Sequence, residues 1–404
     1  MPDTMLAAML TRRHLLCCGA AATGLFTSLG RATPPAVPDE LQPLLARCFA
    51  GLDAAQLWDV HAHLLGTGDA GSGCRVNARL DQWWHPVEAL RKRFILGAAG
   101  VPAGAASIDR AYVARLRALT DAFPTGARWL LFAFDQAHDD AGRPDPAHTT
   151  FHVPDAYAAH VAAARPQRFG WVASIHPYRP DALARLDAAR AAGAVALKWL
   201  PSSMNIDLRD ARLRPFYARL AATRLPLIVH CGEEHAVPGA GRGDLGNPLH
   251  VRMPLEQGVC VIVAHCASLG QALDLDRKRP HEAPAFALFA RLMDEGWGRH
   301  LLGDISAVLQ TNRAPEVART LLAREDWQPR LLHGSDYPLP GLAPLVRLPR
   351  LVQAGLLSAA DAPALAALRE HNPLLFDLAL KRAVRWRGAA FQPAVFATRR
   401  HFTT

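Results

Sequence analysis

Trp58-Asp59-Val60-His61-Ala62-His63 is the stretch on which the reading of this chain turns. Side chains of an extended strand alternate between faces, so Asp59, His61 and His63 are expected to share one face. Two imidazoles two residues apart can then grip one metal ion from one side. With 18 His in 404 residues, roughly 0.8 His-x-His pairs are expected by chance, so the weight of this motif must come from partners further along.

Composition sets the bounds. A chain with 50% hydrophobic and 20% charged residues can bury a large core, as one α/β barrel or two smaller domains, and is neither disordered nor a coiled coil. The formal charge is +9, yet the arginines are scattered through Ala-rich helical segments without a dense basic run, so nucleic-acid binding is not expected. The seven cysteines, at 17, 18, 48, 74, 231, 260 and 266, contain no Cys-x-x-Cys pair. Those at 231, 260 and 266 sit in apolar strand-like runs and read as buried free thiols.

Residues 1–32 read as an export signal: Thr11-Arg12-Arg13-His14-Leu15-Leu16, a small and apolar run to Leu29, then Gly30-Arg31-Ala32 as a cleavage site. The segment resembles a twin-arginine signal, which implies a periplasmic or secreted protein. Pro-rich residues 33–38 read as a linker, and the folded domain is expected over 39–404. No later stretch holds the ~18 apolar residues of a membrane span, so stable membrane insertion after signal removal is not expected.

From there apolar runs with β-branched or aromatic residues alternate with Ala/Leu/Arg-rich stretches. Eight strands are predicted: Leu57–His63, Trp129–Phe134, Phe169–Pro177, Ala194–Pro201, Pro226–Gly232, Cys260–Ala267, Leu301–Ser306 and Leu331–Pro338. The expected fold is α/β, a (β/α)8 TIM barrel with a long first βα loop that includes Trp83-Trp84-His85. An open doubly wound sheet is the runner-up. It would carry a phosphate cradle after its first strand, whereas Thr67-Gly68-Asp69-Ala70-Gly71-Ser72-Gly73 has no following Lys-Ser/Thr and reads as a plain loop. The segment Asp135–His152, with several His and Asp, reads as a solvated turn.

Later strand ends carry ligand-type residues one strand at a time: Lys198, His230, His265 and Asp336. A lysine or histidine ending an apolar strand is expensive to bury without a partner. Several at equivalent places in one barrel point to a joint site. With Asp59-x-His61-x-His63, Ala196-Leu197-Lys198, Val229-His230, Ala264-His265 and Gly334-Ser335-Asp336-Tyr337-Pro338, the chain resembles the amidohydrolase superfamily of metal-dependent hydrolases, in its amidohydrolase-related branch. The resemblance implies His61, His63, Lys198, His230, His265 and Asp336 as metal ligands. It also implies Lys198 carboxylated to bridge two ions, and Asp336 as the carboxylate that binds metal and shuttles the proton.

Imidazoles and carboxylates suit one or two divalent ions, zinc first, with manganese or iron as alternatives. Such ions bring bound water toward a pKa of ~7. Asp336 would accept the proton on attack, and His265 or the metal would polarise the attacked carbonyl. Asp59 reads as a support for the ligands or a polar group of the barrel floor, and Asp304 as a support on strand seven. Arg242 and Glu233 in the glycine-rich loop after strand five, with His176 at the end of strand three, are substrate-contact candidates. The expected function is metal-dependent hydrolysis of a small-molecule amide, cyclic amide, lactone or ester. The alternatives are a mononuclear decarboxylase of an aromatic or unsaturated acid and a catalytically silent binding protein; assembly into a homo-oligomer stays open.

Overall fold

The computed structural model describes residues 37–402 other than Trp83 and Pro238; the expected export signal and the first four residues of the linker lie outside the described residues. Eight parallel strands carry the molecule: β1 (Trp58–His63), β2 (Arg128–Phe132), β3 (Phe169–Val172), β4 (Leu197–Trp199), β5 (Leu227–His230), β6 (Val261–Ala264), β7 (Leu301–Asp304) and β8 (Leu331–Leu332). They form two sheets, ordered β1-β2-β3 and β4-β5-β6-β7-β8. Both seams are bridged. Ala173 pairs with Leu197, and the Lys198 N–H donates to the Ala173 carbonyl at 2.8 Å. Across the other seam Ala62 pairs with Tyr337, and the His63 N–H donates to the Tyr337 carbonyl at 2.9 Å. Neighbours therefore follow chain order around a complete ring, which is the (β/α)8 barrel the alternation predicts.

Inside the ring the strands contribute a shared apolar layer that includes Val60, Leu130, Val172, Ala196, Ile228, Ile262, Leu302 and Leu332. Their alternate neighbours, such as Leu227, Val229, Val261 and Val263, belong to the larger core between strands and helices. Each fully buried valine, leucine or isoleucine among them contributes about 2 kcal/mol, so the strands are fixed on both faces. The interior closes at the bottom on Trp58, against which Phe402 stacks with ring centroids 6.4 Å apart.

β1 departs from simple alternation. Asp59 pairs with Trp129 and Ala62 with Leu131, so Val60 and His61 together face the single residue Leu130. This bulge resets the pleat. Val60 joins the interior layer, Ala62 the outer core, and the imidazoles of His61 and His63 turn inward. Asp59, expected on their face, points the other way. Its carboxylate accepts the N–H groups of His61 at 3.1 Å and Ser335 at 2.8 Å. Burial pushes it up to about 6, opposed by Ser335, His61 and Lys381.

Two helices brace this end of the barrel. In α1 (Ile108–Asp121), Asp109 gathers the N–H groups of Thr67, Gly68 and Ala70 and the Ser72 hydroxyl. The glycine-rich loop after β1 thus does cradle an anion, one supplied by the protein itself. Gly68 sits at φ 88°, and a Cβ there would stand 2.5 Å from the Cys74 carbonyl. α2 (Pro373–Ala383) starts on Asn372, whose side chain caps the N–H groups of Leu374 and Leu375. It carries the buried pair Asp377 and Lys381, 2.6 Å apart; the Lys381 ammonium also donates to the Gly334 carbonyl at 2.6 Å. The helix is thereby tied to the turn that presents Asp336. No described helix is long and apolar enough to cross a membrane.

Candidate metal centre

One step above the apolar layer, the same alternation puts Lys198 over Ala196, His230 over Ile228 and Asp304 over Leu302, each 6% exposed or less. The other two expected residues come from backbone turned against its usual hand. His265 and Asp336 have φ of 56° and 61°, and Cys266 and Ala267 follow His265 at 51° and 49°. Such left-handed residues cost about 1 kcal/mol each and gather where a site needs a side chain re-aimed. Gly334 serves the same end, since a Cβ there would lie 2.6 Å from the His61 Cβ.

His61, His63 and Asp336 meet on one side of this layer. Nε2 of His63 and Nε2 of His61 lie 3.1 Å and 3.5 Å from Asp336 Oδ1. Donors held about 2.1 Å from a tetrahedral ion stand roughly 3.4 Å apart, so the three fit a divalent ion as they are. A second grouping, His61, His265 and Asp304, also has its ligand atoms within 4.8 Å of one another. Asp304, however, is already engaged. Its Oδ1 accepts the N–H groups of His265 at 3.1 Å and Ser306 at 2.9 Å and the Ser306 hydroxyl, and its Oδ2 faces His61 Nδ1 at 2.9 Å. That is how a carboxylate orients a ligand imidazole and keeps Nε2 free for metal.

Four imidazoles run across the site. Ring centroids are 5.1 Å apart for His63 and His61, 4.7 Å for His61 and His265, and 5.2 Å for His265 and His230. Burial first, then Lys198, holds His61 well below the usual histidine range; burial, then His61, does the same to His265. These rings are therefore neutral, the form that ligates. Ser306 fixes His265 by its hydroxyl, 2.7 Å from Nδ1. Lys198 has no hydrogen-bond partner for its buried Nζ, which lies 5.3 Å from the Phe132 ring centre. Burial pushes it down to about 8 against the pull of Asp304, Asp336 and Glu234.

The six expected ligands are thus brought to one end of the barrel, whereas the side chains of the expected substrate contacts are taken up by other partners, although the Glu233 carbonyl lies 3.3 Å from His230 Nε2. Both ring nitrogens of His176 are committed, Nε2 to the Met204 carbonyl at 2.8 Å and Nδ1 to the Tyr178 N–H at 3.2 Å. Arg242 is half exposed and paired with Asp244. Glu233 is half exposed and paired with His235. Its neighbour Glu234 is the residue turned inward. Burial alone would raise its carboxyl, but the His230 ring at 3.4 Å and the N–H groups of Val237 and Ala236 hold it low. The segment 135–152 is not a solvated turn throughout: Asp135, His138, Thr149 and Thr150 are buried. The described cysteines are free thiols, buried apart from the partly exposed Cys260. Sequence reasoning missed Glu234 and Arg313, which sit on loops with no periodicity to place them.

A barrel of eight strands with histidines and carboxylates gathered at their C-terminal ends is the architecture of a candidate metal centre of the amidohydrolase type. Residues 58–376 match the family model described as amidohydrolase, and the chain belongs to that family. No curated protein matches the chain. Among solved structures, a TIM-barrel protein from Bordetella bronchiseptica, called uncharacterized, is 18% identical at a TM-score of 0.44, over 70% of this chain and 86% of its own. A Pseudomonas putida protein provisionally named 2-pyrone-4,6-dicarboxylic acid hydrolase is 18% identical at 0.45, over 80% and 97%. The 5-carboxyvanillate decarboxylase of Sphingomonas paucimobilis is 13% identical at 0.43, over 74% and 95%. At such scores none of the three speaks to the reaction of this chain.

Proposed function

We propose that the protein is a metal-dependent hydrolase of a small amide, cyclic amide, lactone or ester. Lys198 carries this reading: its amine is buried and has no hydrogen-bond partner, and burial brings it down to about 8 against the opposing pull of Asp304, Asp336 and Glu234, so that a share of it is free amine near neutral pH. A lysine whose ammonium is disfavoured reacts as the free amine with carbon dioxide, losing a proton and gaining a carboxylate. That carboxylate would join His61, His63 and Asp336 on one side to His230 and His265 on the other, enough donors for two ions, zinc by first choice. Bound ions supply Lewis acidity and water acidified toward a pKa of ~7. Asp336 takes the proton of the attacking water and returns it to the leaving group. Ser306, 2.7 Å from Nδ1, steadies His265 so that its other nitrogen would face the ion, and polarising the attacked carbonyl would fall to the ion. Phe132, packed on His61 with ring centres 4.6 Å apart, keeps solvent from the inner wall.

One observation favours a second reading, a single-ion decarboxylase of an aromatic or unsaturated acid. The donors already at coordination spacing on the open side, His61, His63 and Asp336, make one ion's site. Metal counting and 13C NMR of protein grown with labelled bicarbonate separate the two. Two ions and a carbamate signal lost in Lys198→Ala support the hydrolase. One ion with unmodified lysine moves the assignment to the decarboxylase, and none favours a binding protein. The twin-arginine segment supports export of the folded enzyme to the periplasm or beyond.

A further inference from the structure

We infer that the substrate carries a carboxylate and that Arg313, on the loop leaving β7, clamps it; this rests on the metal centre being the reaction site. Arg313 is 8% exposed. Its Nε donates to the Ser268 hydroxyl at 3.0 Å, on the turn that carries His265. Its backbone is held by Gln310, whose carbonyl takes the N–H at 3.0 Å, and by Arg350, which donates to the Arg313 carbonyl at 3.4 Å. Nη1 is buried and has no hydrogen-bond partner. Arg313 forms no ion pair among the described residues, although Asp336, Glu234 and Glu233 lie near enough to stabilise its charge. The guanidinium is thus anchored to the turn that carries His265, three residues beyond that ligand.

An arginine cannot shed its proton to escape this position; burial brings it down only to about 10. Here the carboxylates that act on it are Asp336, Glu234 and Glu233; Glu234 and Glu233 already face His230 and His235, and an ion bound by Asp336 would draw that carboxylate's charge toward itself. What is left is a fixed cation with a free donor edge, the geometry that takes a planar carboxylate through two parallel N–H bonds. A neutral amide or ester group in that place would leave the guanidinium uncompensated. The substrate class is accordingly a small acid whose scissile or departing group lies at the metals while a carboxylate lies at Arg313.

The test is calorimetric titration of the full-length, metal-loaded protein with acetate, benzoate and maleate, and with benzamide as a neutral control. Wild type is expected to bind at least one carboxylate roughly 30-fold tighter than benzamide, and Arg313→Met to lose that preference while keeping its fold and metal content. Arg313→Lys, which keeps the charge but not the fork, is expected to recover only part of the affinity. The melting temperature of Arg313→Met should equal or exceed that of wild type, which a structural arginine would not allow. The clamp is refuted if wild type takes up none of the three carboxylates at millimolar concentration, or if Arg313→Met binds them as wild type does. Metal content of the same samples keeps the two ideas apart: protein without bound ion sinks the proposed function, and loss of carboxylate affinity at full metal content speaks only to Arg313.

Discussion

His61 and Asp304, 243 positions apart in the chain, meet at 2.9 Å between Nδ1 and Oδ2 in the wall of the barrel. Because Asp304 is gripped by the backbone of the next turn, it holds the His61 ring in one orientation. Asp304→Asn keeps the shape but exchanges the acceptor oxygen for a group that is half donor. Metal affinity should fall about 10–100-fold with the fold retained, as chelator competition would measure.

His61→Ala, His63→Ala and Asp336→Ala should each remove bound metal and turnover together while circular dichroism stays native, because rim residues of a barrel serve chemistry more than packing. Near-normal turnover in any of them, on a verified substrate, would dismiss the His61–His63–Asp336 assignment.

Asp377→Ala should cost about 3–5 kcal/mol, since it leaves the Lys381 ammonium buried with only the Gly334 carbonyl for company. The Asp377→Ala, Lys381→Met double variant should recover much of that loss. Denaturant titration of the three proteins forms the cycle; equal stabilities throughout would mean the pair has no role in seating the Asp336 turn.

His176 should make the protein acid-sensitive. Burial, then His138, pushes it down to about 3, whereas in the unfolded chain it titrates near its ordinary 6.5. Below about 6.5 the unfolded state gains a proton that the folded state refuses. Its contribution is therefore full above that pH and falls by up to ~1.4 kcal/mol per unit as pH drops toward 3. His176→Gln, melted between pH 7 and 4, should show a pH dependence shallower by about one proton; an unchanged slope would contradict this.

Replacing Arg12 and Arg13 with Lys should strand the protein in the cytoplasm if the amino-terminal segment acts as a twin-arginine signal. Fractionation of expressing cells reads the outcome, and normal export of the variant would count against it.

The fold was legible because each barrel strand repeats one message, an apolar run with small or β-branched residues and a turn on either side. Val261-Ile262-Val263-Ala264 needs nothing else to be read as a two-sided buried strand. The polar residue ending such a run, as with Lys198 or His230, was legible for the same reason. Asp59 was not: its face depends on a bulge that costs nothing in sequence terms, and period-two counting carried it to the wrong side. Arg313 and Glu234 were hidden differently. Their positions come from loop backbone pinned by Gln310, Arg350 and the N–H groups of Ala236 and Val237, and no period in the sequence encodes that.

The doubled step at Val60 and His61 also bears on how such chains should be compared with one another. Written as letters, Asp59 and His61 are as far apart as His61 and His63; in space the first pair spans the wall of the barrel and the second does not. An alignment that forbids a gap here would match Asp59 with an inward residue of any relative whose first strand lacks the extra step. Shortening the strand by Val60 alone would return it to a regular pleat and leave all the remaining side chains on their present faces. The spacing between an acid and the ligand pair is thus free to drift by one residue among related barrels, while the histidines cannot move relative to each other.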